Sequence, residues 1–120
     1  MSKKMFRTAY VVQATNYDFA PLLEKCEEIK FVTTGYEKDD NLQVSIGMAL
    51  VDYDPVNDVI VPVGNVANNV MVGIVAEQLR SYTHTNRINL ALYRDKVYDI
   101  FTLTLRNLDT VIATKGGTRV

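Results

Sequence analysis

The chain has 120 residues, 48% of them hydrophobic and 22% charged, with six glycines and three prolines. That is the length of one domain, enough to bury a core without disulfides or a metal, and too apolar for bulk disorder. A formal net charge of -1 gives no electrostatic case for nucleic acid or an anionic membrane as the main partner.

Cys26 is the only cysteine, so there is no internal disulfide and no cysteine-built zinc site. No apolar run approaches the length of a membrane span, and Met1-Ser2-Lys3-Lys4 is not followed by a signal-peptide core. The expectation is a soluble, cytoplasmic protein. Charge is uneven: residues 21–60 hold nine acids and three bases, whereas residues 80–120 hold three acids and seven bases. Solvated loops are the simplest account of that asymmetry.

After a polar lead-in, Thr8 to Gln13 (TAYVVQ) predicts a first strand, rich in β-formers. It stops at Asn16-Tyr17-Asp18, where Asp18 can cap a short helix over Phe19 to Cys26 with Pro21 in its first turn. Cys26 would then be a small buried apolar residue on that helix. Glu28 to Thr33 predicts a second strand. The segment Leu42 to Tyr53 fits both periods, but Leu42, Ile46, Ala49, Leu50 and Tyr53 share one helical face. The acids at its start and the need for a crossover between parallel strands decide for helix.

Val59 to Val63 is apolar without alternation, as in a central parallel strand buried on both faces. Gly64-Asn65 follows, with Asn65 suited to cap a long helix. The expected buried face of that helix is Val66, Ala67, Val70, Met71, Ile74, Val75, Leu79 and Tyr82. Opposite it lie Asn69, Val72, Gly73 and Ala76, an outer face with too little charge to stand in water alone. The C-terminal segment or a second copy in a two-fold dimer would serve as its cover. Ile88 to Tyr93 and Val97 to Leu105 predict a closing hairpin with its tip at Arg94-Asp95-Lys96. From Arg106 the pattern decays, and residues 1–5 and 114–120 are expected to be flexible ends. The fold class predicted is α/β: a single three-layer domain in the order β-α-β-α-β-α-β-β, with a mostly parallel sheet of four to five strands and a C-terminal antiparallel hairpin.

Four pieces carry a family resemblance: Tyr10-Val-Val-Gln13 with Asp18, Asp52-Tyr-Asp-Pro55, Asp58-Val-Ile-Val-Pro-Val-Gly64, and Asn89-Leu-Ala-Leu-Tyr-Arg-Asp95 with Val97-Tyr98. In these the chain resembles a group of small, uncharacterised α/β proteins of bacteriophages, in which an aromatic, here Tyr93, precedes the basic-acidic pair of the last hairpin. The resemblance implies a phage accessory protein in the host cytoplasm.

Open parallel sheets bind ligands beyond the carboxyl ends of their strands. That edge should collect Asn16, Tyr17 and Asp18; Thr33, Thr34 and Tyr36; Gly64, Asn65, Asn68 and Asn69; and Arg94. Gly64 lets a ligand approach the backbone, the helix start offers N–H groups to a phosphate, and the tyrosines can stack on a base. Yet Val-Gly-Asn-Val lacks the other glycines of a dinucleotide fingerprint and the Lys-Ser/Thr of a P-loop. Asp52, Asp54 and Asp58 fail as a calcium loop, since Val56 stands where an oxygen ligand is needed, and are expected to be solvated turn acids. His84 has no nucleophile in a suitable context. No catalytic residues, metal site or cofactor are therefore assigned. The expectation is a non-enzymatic protein that binds a host or phage protein, in host takeover or counter-defence. The rival is a nucleotide or other phosphate-bearing anion held at the Gly64–Asn69 turn, and a homo-oligomer is compatible with either.

Overall fold

The computed structural model describes residues 4–34 and 39–116. Five strands form one sheet: β1 (Phe6–Gln13), β2 (Cys26–Thr33), β3 (Val59–Val61), β4 (Arg87–Arg94) and β5 (Val97–Thr104). A 3-10 turn (Ala20–Glu24) joins β1 to β2, α1 (Asp39–Ala49) joins β2 to β3, α2 (Val66–Arg80) joins β3 to β4, and α3 (Asp109–Gly116) follows β5. The sheet order is β2-β1-β3-β4-β5, parallel except for the β4–β5 pair. The predicted α/β class and antiparallel hairpin are what the chain adopts.

Right-handed crossovers put α1 and α2 on one face of such a sheet and the 3-10 turn on the other. The core divides accordingly. Tyr10, Val12, Ile60 and Ile88 meet Leu42, Ile46 and Leu50 of α1 and Val72, Val75 and Ala76 of α2. On the other face Ala9, Val11, Val59 and Val61 meet Phe19, Leu22 and Tyr98. Val59–Val61 is buried on both faces, which is why it shows no alternation. The β4–β5 turn is Asp95-Lys96, both at positive φ (54° and 70°), the two-residue geometry whose twist suits a hairpin.

Four expectations are corrected. Phe19 to Cys26 is not a helix, and Cys26 opens β2, paired with Phe6. Cys26 is taken by the parallel ladder of β2, which leaves only Ala20–Glu24 for a single 3-10 turn. The buried face of α2 is Asn68, Val72, Val75 and Ala76, so Val66, Val70, Ile74 and Tyr82 are exposed, Val66 by 78%. Asp58 is not a solvated acid: it is fully buried and accepts from Arg7 (2.7 and 3.1 Å), the Thr8 amide (3.1 Å) and the Asp54 amide (2.8 Å). Finally, residues 109–116 are helical rather than a decaying tail, and the described side chains of α3 are exposed.

Burial also fixes a pH response. The Cys26 thiol is pushed up to about 11 by burial, from an ordinary value of 9.0. Burial likewise raises the Tyr53 and Tyr10 hydroxyls, whose rings meet edge to face at 5.8 Å. The folded state therefore holds these protons more tightly than the unfolded state. Their stabilisation is complete below the unfolded values; the Cys26 share is lost as pH rises from about 9 toward 11, and the tyrosine share only above about 10. Urea midpoints should be flat from pH 6 to 8 and fall above pH 9. Cys26→Ala should remove part of that fall, and an unchanged alkaline limb would contradict this cause.

Candidate functional site

The order β2-β1-β3 places the topological switch between β1 and β3, so the carboxyl ends of those strands frame the expected crevice. There the structure brings together Gly64, Asn65, Asn68 and Asn69 with two residues of neighbouring strand ends, Gln13 and Thr33. The Gln13 Oε1 accepts from the Asn65 amide at 2.7 Å and from Asn68 Nδ2 at 3.3 Å. Asn68 Nδ2 also donates to Thr33 Oγ1 at 3.2 Å, whose hydroxyl donates to the Val12 carbonyl at 2.8 Å. Asn65 caps α2 as predicted, accepting from the Ala67 and Asn68 amides. Asn69 Nδ2 donates back to the Val63 and Asn65 carbonyls.

The chain's own amides thus hold the helix-start N–H groups that a phosphate would use. Gly64, at φ 90°, lies so close to Gln13 that an added Cβ would stand 2.4 Å from its Oε1. Gln13 was not foreseen as part of this network, because a glutamine ending a strand carries no spacing signal. Thr33, buried, takes the role open to either threonine, while Thr34 is exposed. Asn16 is exposed, and Arg94 pairs with Asp99 at 3.2 Å on the hairpin. Tyr36 lies outside the described residues.

Tyr17 and Asp18 join a separate cleft of about 340 Å³, lined also by Val63, Tyr93 and Tyr98. Tyr93 and Tyr98 meet at 62° with ring centroids 5.1 Å apart. Asp18 Oδ1 accepts from the Ala20 amide at 3.0 Å, which starts the 3-10 turn. Burial, then Tyr93, then Asp18 hold the Tyr98 hydroxyl above the ordinary phenol range.

A further concavity is a groove of about 810 Å³ between α2 and the β4–β5 hairpin. Its α2 wall is Asn69, Val72, Gly73 and Ala76; of this face, expected to point outward, Val72 and Ala76 are instead core residues 1% and 0% exposed, and Gly73 is open. Its floor includes Ile88, Leu90 and Leu103, and its far end Leu105 and Leu108. Phe101 lies opposite Leu90 in the antiparallel register, on the same sheet face, and is 53% exposed because no helix covers the hairpin there. Val66, Val70 and Ile74 above the groove and Val111 and Ile112 of α3 beyond it are exposed as well.

Among the described residues, no group of acids, histidine and cysteine is arranged to hold a metal, and no helix is long and apolar enough to cross a membrane. Set against known proteins, the chain finds no matching family model, curated protein or solved structure.

Proposed function

We propose that the chain is a non-enzymatic binding protein whose target is another protein, an accessory factor of the phage kind its motifs resemble. The observation that supports this most is the uncovered apolar strip running from the outer side of α2 through the groove to α3. Its side chains include Val66, Val70, Ile74, Phe101, Val111 and Ile112, all large apolar residues left exposed, and such a grouping marks an interaction surface rather than chance exposure. The occupant we propose is an amphipathic helix of the target. Gly73, exposed and without a side chain, leaves the α2 wall low, so a second helix backbone can approach to about 8–10 Å. Leu90 and Leu103 then receive its apolar residues at the three-and-four spacing.

Gly73→Lys places charge in the groove and Phe101→Asp beside it on the same sheet face, both at sites where folding demands no apolar group. Lysine is also a better helix former than glycine by roughly 0.5–1 kcal/mol, so Gly73→Lys should raise the melting temperature slightly while abolishing binding. Affinity capture from the producing cell should retain one defined protein on the unaltered chain and neither variant. A partner held equally by both variants would remove the groove from the account.

The rival reading, an anion on the Gly64–Asn69 turn, requires Gln13 to leave the Asn65 amide. A second copy of the chain is a further competing occupant of the groove. Native mass spectrometry separates these outcomes, because a retained nucleotide would also dominate the absorbance of a chain with seven tyrosines and no tryptophan.

A further inference from the structure

The aromatic cleft at the carboxyl edge is built unlike the groove and lies on the opposite side of the sheet, where Tyr98 joins the core beside Val59 and Val61. Tyr98 is 4% exposed and forms a fixed wall, whereas Tyr17 and Tyr93 are 66% and 57% exposed. Rings that exposed contribute little to the core. Tyr17 leans edge-on against Phe19 and Tyr93 against Tyr98, which holds both rings around one small cleft with much of their surface open. The Tyr93 and Tyr98 rings stand at 62°, so they present two walls of a corner rather than one stacked surface.

Among the described residues lining the cleft, Asp18 alone is charged, and no ion pair engages it among the described residues. Its capping duty uses Oδ1 alone. Asp18 is exposed at the rim of the cleft, and a carboxylate there repels a phosphate or another carboxylate. It attracts a cation, and the negative faces of tyrosine rings do the same within about 6 Å of their centroids. Both features select one ligand chemistry.

We propose that Tyr17, Asp18, Tyr93 and Tyr98 form a site for an organic cation, an alkylammonium or guanidinium group, seated between the rings and neutralised by Asp18. A volume of about 340 Å³ admits such a head with part of its stem. The group can be carried by a free polyamine or by a lysine or arginine side chain of a protein. The site stands independently of the groove, and its test monitors different side chains.

The test is an aromatic NMR titration of the full chain, labelled at tyrosine, with tetramethylammonium chloride against sodium chloride at matched ionic strength. Saturable shifts confined to Tyr17, Tyr93 and Tyr98 are expected for the organic cation only. Asp18→Asn keeps a side-chain acceptor for the Ala20 amide and so preserves the turn, yet it should weaken binding about fivefold or more. Tyr93→Leu, at an exposed position, should do the same. Spermidine and N-acetyl-arginine methylamide then distinguish the sources: tighter binding of the first indicates a free polyamine, and of the second a protein side chain. Shifts that follow ionic strength alone would overturn the proposal. So would unaltered affinity in both variants, or saturable binding of adenosine monophosphate at these rings in place of the cations.

Discussion

Asp58→Ala should lower the unfolding free energy by about 3 kcal/mol, a large share of the roughly 5–15 kcal/mol available to a domain of this size. The carboxylate is fully buried between the start of β1 and the link before β3. It is the acceptor for the Thr8 and Asp54 amides at 3.1 and 2.8 Å, and both would lose their partner inside the protein. The ion pair with Arg7 adds less, because the Arg7 side chain is 45% exposed and water screens it. Arg7 also donates to the Asp52 carbonyl at 2.7 Å, so the link 52–58 is held to β1 from two sides. Asp58→Asn keeps one acceptor and should cost about half as much, and Arg7→Ala about 1 kcal/mol or less. Urea denaturation orders the three. A loss below about 1 kcal/mol for Asp58→Ala would show that water reaches those amides.

Gly64→Ala should cost a similar amount, about 3 kcal/mol, for a different reason. At φ 90° any side chain adds roughly 1–2 kcal/mol of backbone strain. The new Cβ would also stand 2.4, 2.7 and 2.8 Å from Oε1, Cβ and Cδ of Gln13. Swinging the Gln13 amide away frees Oε1 and Cδ but not Cβ, so the backbone must also shift, and the bonds to the Asn65 amide and Asn68 Nδ2, each worth about 1 kcal/mol, are surrendered. Gly47→Ala is the control: in α1 an added Cβ meets nothing within 4 Å, and the change should stabilise by up to about 1 kcal/mol. Equal behaviour of the two variants in thermal unfolding would contradict the packing described at the switch point.

Much of this fold is written in local patterns. Leu42, Ile46 and Ala49 share a face of α1, but the helix expected to run to Tyr53 ends at Ala49, and Leu50 and Tyr53 reach the same core from the turn that follows. The phase of α2 was harder, since the helix carries two apolar stripes, Val66-Val70-Ile74 and Val72-Val75-Ala76. The second is buried because Asn68, on its side, finds polar partners in Gln13 and Thr33 from two other strands. A buried asparagine looks like a surface residue until its partners are known. The same holds for Asp58, whose neighbours Asp52 and Asp54 suggest a solvated loop while Arg7 and Thr8, some fifty residues away, supply its burial. For α3, Val111 and Ile112 are apolar but face no core, so no amphipathic period marks the helix. At the carboxyl edge, Tyr17 and Asp18 were legible as strand-end residues. That they meet Tyr93 and Tyr98 depends on strand order and hairpin register, which local patterns do not encode.

The central proposal, that the groove between α2 and the β4–β5 hairpin receives another protein, is tested most directly by photo-crosslinking in the producing cell. The probe is p-benzoylphenylalanine in place of Phe101, with the same group in place of exposed Glu27 on β2 as control. The account predicts one defined adduct from position 101, of this chain plus a second, different protein. It should be absent from position 27 and suppressed by Gly73→Lys. Labelling that is indistinguishable at the two positions, or an adduct only with a second copy of the chain, would contradict it.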